Sequence, residues 1–267
     1  MNTNRNNALS FLNELASRDL TEVQNYSKYT EQDKRTWRKL FENQMRQAPF
    51  VTHGAFISGL KRLGINEEIP KFEEVNETLR KSSGWSIYVC GGTLEGSVLY
   101  AGLAKKMFPV TNFFRAPEDW MYTAAPDMFH EIYGHLPMLN HSKYGNLLKL
   151  FGQIAEEFEY REDVVKMLPP LFWFLVEFVL TYERGQLKCA GPGILSSVNE
   201  LLYCVHSEKP TRHIIGQSEE AMKKIVRQII VTEYDIENFQ HEYFVVQGFS
   251  HWEDLILCIP DVIRERV

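Results

Sequence analysis

The stretch Pro126-Asp127-Met128-Phe129-His130-Glu131-Ile132-Tyr133-Gly134-His135 decides how the chain is read. It sets two imidazoles five positions apart, with a carboxylate beside the first and apolar or aromatic residues in most of the interval. That composition suits a first-row metal held by nitrogen in a partly dry pocket. The spacing is not that of a zinc-protease helix, in which histidines four apart share a face. Five positions along an ideal helix carry the second side chain roughly 140° round from the first. Both imidazoles reach one ion only if the helix bends, shifts register or ends near Gly134. Glycine loosens the backbone there, and Pro137 restricts the residues beyond His135. The alternative is a packed histidine beside a surface one.

A third ligand has to come from elsewhere in the chain. Glu177 is the candidate, the single carboxylate in the apolar run Pro169-Pro170-Leu171-Phe172-Trp173-Phe174-Leu175-Val176-Glu177-Phe178-Val179-Leu180. A carboxylate is costly to bury in such a segment unless it is paired or bound to a metal. The alternative is a glutamate at the helix edge, facing polar neighbours. Two histidines and a carboxylate form the facial triad of non-haem Fe(II) oxygenases, and equally a hydrolytic zinc site. Ligand identity alone leaves both open.

Length and composition set the outer bounds. The chain has 267 residues, 44% hydrophobic and 13% aromatic, with a net charge of −6. This fits a globular protein with a large core, in one or two domains. Lysine and arginine are spread along the chain, with neither a nucleic-acid stripe nor a polybasic membrane patch. The polar start Met1-Asn2-Thr3-Asn4-Arg5-Asn6-Asn7 lacks the apolar centre of a signal peptide, and no apolar run is long enough to span a membrane. Cys90, Cys189, Cys204 and Cys258 have no Cys-x-x-Cys spacing. They read as reduced, mostly buried thiols of a cytoplasmic protein.

Periodicity predicts a mostly helical chain without repeats or linkers. A short helix within residues 1–20 is expected to dock loosely. Thr30, with Asp33 three residues on, is placed to cap a helix over residues 30–47 whose stripe Trp37, Leu40, Phe41 and Met45 is core packing. Further helices are expected over residues 50–63, ended by Gly64, and over 72–80, with Gly84 breaking the pattern. Trp85, Ile87 and Val89 alternate as in a strand. The loop Gly91-Gly92-Thr93 is too short and irregular for a dinucleotide or phosphate fingerprint. Residues 98–108 read as either strand or helix. An amphipathic helix is expected over 146–162, and Pro169-Pro170 opens the Glu177 helix. Gly191-Pro192-Gly193 reads as a tight turn. Ser218 caps a helix running to Ile229. Residues 230–234 and 243–246 read as a pair of strands, and Ser250 with Glu253 as the capping box of a last helix. Arg115, in an aromatic setting before the first histidine, suits bidentate binding of an amino-acid carboxylate; the alternative is a surface ion pair with Glu118 or Asp119.

Several ordered motifs now agree. Pro126-Asp127 followed by His130-Glu131 and Gly134-His135-Leu136-Pro137 resembles the signature of the pterin-dependent aromatic amino acid hydroxylases. So do Met121-Tyr122-Thr123, Trp173-Phe174-Leu175-Val176-Glu177-Phe178, Gly193-Ile194-Leu195-Ser196-Ser197, Glu200-Leu201-Leu202-Tyr203-Cys204, Ser207-Glu208-Lys209-Pro210 and Val231-Thr232-Glu233-Tyr234. The resemblance runs from about Tyr29 to Trp252. It implies a mainly α catalytic domain with a small β component, a single unit over residues 1–267. It implies Fe(II) on His130, His135 and Glu177, with oxygen and tetrahydrobiopterin or another tetrahydropterin as co-substrates. Arg115 and Thr123, with Ser196 nearby, are then expected to hold the substrate's amino-acid group, and Trp173 and Phe178 to wall its ring. Glu131, Leu94 and Leu99 are expected at the pterin, and Ser196 and Glu200 in the polar network around the metal.

The chain also departs from that family. Leu99, or Tyr100 one position on, stands where an aromatic residue usually stacks on the pterin, and Pro109 where a pocket histidine is common. Val231 stands where phenylalanine hydroxylases tend to carry an apolar residue. The expected reaction is therefore phenylalanine to tyrosine, with tryptophan or tyrosine as alternative substrates and a zinc hydrolase or a non-catalytic relative as alternative readings. No regulatory domain or long assembly helix is recognised, so a bacterial-like core is expected, a monomer or weak oligomer acting on small molecules, with neither nucleic acid nor membrane as partner.

Overall fold

The computed structural model of the chain describes residues 24–90, 96–121, 123, 126–158 and 161–266. The helix expected within residues 1–20, the Gly91-Gly92-Thr93 loop and Leu94 lie outside the described residues. The first helix, α1 (Glu31–Met45), starts where the capping pattern places it. The Thr30 hydroxyl accepts the Asp33 N–H at 3.2 Å, and the Asp33 carboxylate accepts the Thr30 N–H at 2.8 Å. Two backbone donors that a helix start leaves without partners are thereby satisfied. Trp37 and Leu40 are fully buried along its inner face.

The helix expected over 50–63 is interrupted. A single turn, Ala48–Val51, gives way to extended Thr52, whose N–H and hydroxyl both return to the Ala48 carbonyl. Helix α2 (Gly54–Leu63) then starts afresh, with His53 Nδ1 accepting the Ala55 N–H at 3.1 Å. Gly64 ends α2, and Gly84 ends α3 (Phe72–Ser83). Both sit in the left-handed region, φ 67° and 72°, that favours glycine.

The open segment around residue 100 resolves into both structures in turn. β1 (Ser86–Cys90) leads to α4 (Gly96–Ala104), and this crossover returns the chain as β2 (Met107–Thr111), parallel to β1. Parallel neighbours need such a crossover. A turn over His130–His135 comes next, then α5 (Leu136–Leu139) and the long α6 (Ser142–Phe158). Helix α7 (Leu168–Phe172), opened by prolines, runs straight into a second turn, Trp173–Glu177.

A four-stranded sheet lies beyond it. β3 (Leu180–Glu183) and β4 (Gln186–Cys189) form a hairpin through Arg184 and Gly185, both at positive φ, 52° and 76°. That pairing of angles matches the twist of the strands. After α8 (Pro192–Ser196) and α9 (Glu200–His206) come β5 (Thr211–Ile214), α10 (Glu219–Ile229) and β6 (Glu242–Val246). The sheet order is β4-β3-β6-β5. Ser218 caps α10 as expected, accepting the Ala221 N–H.

Two sequence expectations fail in this region. Residues 230–234 are not a strand. They leave α10 as a turn, and β6 pairs with β3 and β5 instead. Ser250 caps nothing: helix α11 (Phe249–Leu257) begins one residue earlier, behind Gly248 at φ 93°, and Ser250 sits inside its first turn. The chain closes with α12 (Ile259–Glu265).

One hydrophobic cluster runs from Trp37 to Ile263, and all four cysteines are buried. The segment carrying the histidines lies inside it. Phe129 and Tyr133 stack at 4.7 Å, and Trp37, Phe41 and Phe56 close on them edge-on at 5.1, 5.8 and 5.2 Å. Helix α2 lies directly on α5, because a Cβ at Gly59 would fall 2.0 Å from the Pro137 carbonyl oxygen. Gly59→Ala must therefore push α2 off the segment just after His135. The expected loss in denaturant unfolding is about 2–4 kcal/mol, at or above the usual range for overpacking. A loss under about 0.5 kcal/mol, the size of an ordinary surface substitution, would show that the two helices do not approach so closely.

Candidate metal centre

The turn His130–His135 is π-helical. Closing the backbone at i→i+5 instead of i→i+4 brings residues five apart onto one face. The register shift is thus the device by which the two imidazoles meet: His130 Nε2 and His135 Nε2 are 3.1 Å apart. Gly134 lies within this turn, where a Cβ would stand 3.0 Å from the Pro192 carbonyl of α8. A second π-helical turn, Trp173–Glu177, delivers the carboxylate. Glu177 Oε1 is 3.1 Å from His135 Nε2, and Oε2 is 3.8 Å from His130 Nε2. The backbone at Glu177 is crossed so closely that a Cβ at Gly191 would lie 2.2 Å from its carbonyl oxygen.

The protonation of the site is set by its hydrogen bonds. The Ser196 hydroxyl donates its one proton to the Pro192 carbonyl at 2.9 Å, so toward His130 Nδ1, 2.8 Å away, it can only accept. His130 therefore carries its proton on Nδ1 and turns the Nε2 lone pair toward His135 and Glu177. Burial lowers the His130 pKa to about 4, so protons do not compete for that lone pair near neutrality. Burial alone raises the Glu177 carboxyl, but His135, His130 and the Gly193 N–H outweigh it and hold the group below its ordinary value. Glu177 Oε2 and His135 Nδ1 are buried without a partner among the described residues.

Two imidazole nitrogens and a carboxylate oxygen thus lie within 4.8 Å of one another, with an unsatisfied anionic oxygen among them. A cation answers both the uncompensated charge and the facing lone pair. The residues present fit a first-row metal bound by two nitrogens and an oxygen.

Arg115 does not pair with Glu118 or Asp119. Its Nε and Nη2 reach Asp127 Oδ2 and Oδ1 at 2.7 and 2.8 Å, and Nη1 donates to the Trp120 carbonyl at 3.3 Å. Asp127 is fully buried, and its Oδ1 also accepts the His130 N–H at 3.0 Å. Sequence reasoning missed Asp127 as a site residue. The signal was an aspartate three positions before the first histidine, the spacing of a side-chain cap. Glu131 is buried. Burial pushes its carboxyl well up, although it accepts the Thr111 N–H at the end of β2. Thr123 is half-buried.

The ring-lining candidates do come together. Trp173 stacks on Phe178 at 4.6 Å and on Tyr234 at 4.7 Å. Glu200, also buried, accepts the Tyr243 hydroxyl at 2.6 Å and the Gln240 N–H at 3.1 Å. Leu99 is half-buried against the core, while the Tyr100 ring is taken up by Phe151 and Phe172 at 5.8 and 5.9 Å. Val231 is 67% exposed, so it borders solvent and not a closed cavity.

The family model described as biopterin-dependent aromatic amino acid hydroxylase matches residues 11–259. Phenylalanine-4-hydroxylase of Mesorhizobium japonicum is 32% identical over 242 residues, covering 88% of this chain and 82% of that protein. The enzyme of the same name from Ralstonia nicotianae is 34% identical over 237 residues, 88% of this chain and 72% of its own length. Among solved structures, phenylalanine hydroxylase of Chromobacterium violaceum with bound oxidised Fe(III) superposes with a TM-score of 0.83 at 30% identity, covering 94% of this chain and 88% of that one.

The geometry sets Asp127 apart from its acidic neighbours. Asp127→Ala leaves the buried Arg115 guanidinium without its partner, and is expected to cost about 3–5 kcal/mol in denaturant unfolding. Asp119→Ala is expected to stay within about 0.5 kcal/mol of the parent, as surface substitutions do. Equal losses for the two would place the arginine's partner elsewhere.

Proposed function

Because the chain belongs to the biopterin-dependent aromatic amino acid hydroxylases, we propose that it hydroxylates phenylalanine to tyrosine, with iron held by His130, His135 and Glu177. The observation that carries this reading is the convergence of those three side chains through two π-helical turns, with the His130 lone pair already turned inward. The C. violaceum relative with bound iron supports iron in that place. The five-residue histidine spacing and the family match leave a zinc hydrolase without support.

Bound iron and the reduced pterin supply the activation of dioxygen that an aromatic ring cannot achieve alone. The chain's own residues bind, orient and exclude water. Arg115 has five N–H donors and spends three on Asp127 and the Trp120 carbonyl. Among the described residues one donor on each Nη has no partner, and the two form a fork suited to a substrate carboxylate. Asp127 holds this fork and also bonds the His130 backbone, so the substrate anchor and the first ligand share one support. Thr123 and Ser196 complete the polar end in this reading. Trp173 and Phe178 form the ring wall, whose apolar surface keeps water from the reacting carbon. Glu200 belongs to the polar network behind that wall. In this reading Glu131 and Leu99 serve the pterin, as does Leu94, which lies outside the described residues and is assigned from the sequence resemblance alone. Leu99 offers an apolar contact there in place of an aromatic stack, since the Tyr100 ring is engaged in the core.

The partners in this reading are small molecules: an aromatic amino acid, oxygen and a tetrahydropterin. No helix among the described residues is long and apolar enough to cross a membrane. The reading includes one catalytic domain, a cytoplasmic location, a monomer or weak oligomer, and no nucleic acid. Tryptophan and tyrosine remain alternative substrates, because apolar pockets separate near-isosteres by only roughly 1–3 kcal/mol.

The test is tyrosine formation by Fe(II)-loaded protein from phenylalanine and oxygen, with and without tetrahydropterin. Tyrosine that depends on the pterin is expected. Tyrosine formed equally with unrelated reductants, or none under either condition, would contradict the reading. Glu177→Gln is expected to lower turnover by more than about 100-fold, beyond the loss seen for groups that only support a ligand. Parent-like turnover would show that the carboxylate is not a ligand.

A further inference from the structure

Behind the ring wall lies a side chain that neither the motifs nor the reading above uses. Gln240 is 2% exposed, and both ends of its amide are engaged. Oε1 accepts the Trp173 indole N–H at 3.0 Å and the Asp235 N–H at 3.2 Å. Nε2 donates to the Asp235 and Asn238 carbonyls. Two donors facing one end and two carbonyls facing the other leave a single consistent orientation of the amide. No other side chain of this size supplies both ends: leucine offers neither, and glutamate only the acceptor. The main chain of Gln240 is itself held, its N–H donated to the buried Glu200.

The partner of this amide is the indole of the ring wall. Phe178 and Tyr234 lie nearly parallel to Trp173, tilted by 23° and 25°. Two rings that near to one indole occupy its opposite faces. Stacking fixes the tilt of the indole, while its position within that plane is set by the tether at Cβ and by the contacts at its rim. The one polar atom on its rim makes one of those contacts, and Gln240 is the acceptor. Trp173 also opens the turn that delivers Glu177, and its carbonyl accepts the Phe178 N–H at 2.8 Å.

We infer that Gln240 is a positioning residue for the aromatic substrate, acting through Trp173: it locks the indole in its plane and thereby sets the edge that bounds the substrate ring. The inference rests on the hydroxylase reading for the identity of the substrate, and on the hydrogen bonds alone for the indole. With the lock removed, the indole shifts along the stack and the ring site loses its fit to phenylalanine.

The experiment is a double-mutant cycle of Gln240→Leu with Trp173→Phe on the metal-loaded, full-length protein. Near-UV circular dichroism reads the indole without reference to activity. Gln240→Leu is expected to change the tryptophan bands in the parent and leave them unchanged in the Trp173→Phe background. Steady-state kinetics read the use of the contact. Gln240→Leu is expected to raise KM for phenylalanine about tenfold, with kcat within about threefold of the parent. It is also expected to lower the preference for phenylalanine over tryptophan, and to have no further effect on KM once Trp173 is phenylalanine. Should Gln240→Leu fail to fold, Gln240→Met, unbranched and of similar length, enters the same cycle with the same expectations. Tryptophan bands that change equally in both backgrounds, or additive effects on KM, would overturn the inference. A protein that makes no tyrosine but shows the Trp173-dependent spectral change would sink the proposed reaction and leave the indole lock standing.

Discussion

Two imidazoles five residues apart can meet only where the helix that carries them gives up α-helical hydrogen bonding. The rest of the structure depends on that local concession. A π-helical turn is rare, and it persists where its surroundings hold it. Here the support comes from every side of His130–His135. Asp127 bonds the His130 N–H, Ser196 and Pro192 face the turn from α8, and Trp37, Phe41 and Phe56 pack on the back of Phe129 and Tyr133. Asp127 and Ser196, which hold the turn, also bond His130 directly, so fold and site share those contacts.

The same arrangement recurs at Glu177. A second π-helical turn ends α7, and the chain returns past it at Gly191 and Gly193, where no side chain would fit. A carboxylate placed in an apolar helix is expensive unless it is compensated. The two imidazoles and the Gly193 N–H supply part of that compensation. The oxygen left without a partner marks where a cation belongs. Two further hydrogen-bonded networks flank this centre: Arg115 with Asp127, which also holds the His130 N–H, and Glu200 with Gln240, which reaches the Trp173 indole.

Local chemistry was legible in the sequence at most positions where a single residue type enforces it, Ser250 being an exception because Gly248 starts its helix two residues earlier. Thr30 with Asp33, the left-handed Gly64 and Gly84, and the prolines opening the Glu177 helix all stand where they were read. Legibility failed where tertiary pairing decides. Residues 230–234 have strand-like composition, yet β6 finds better neighbours in β3 and β5. The β3–β4 turn uses Arg184-Gly185, without the asparagine or aspartate that usually signals such a hairpin. The metal ligands were legible as a chemical set, because two histidines and one buried carboxylate have few other uses. Their register was not: spacing shows that an α-helix must fail, but not whether it bends, ends or widens. Asp127 was missed although it lay inside the deciding stretch, because its partner Arg115 comes from beyond a turn.

The central claim is that the widened turn places both imidazoles on one metal together with Glu177. The X-ray absorption spectrum at the iron edge of the Fe(II)-loaded protein tests it most directly, since imidazole rings on a metal leave a distinct outer-shell scattering pattern. The account predicts the signature of two imidazoles and an oxygen-rich remainder. A spectrum with one imidazole or none, from protein that holds one iron per chain, would contradict it.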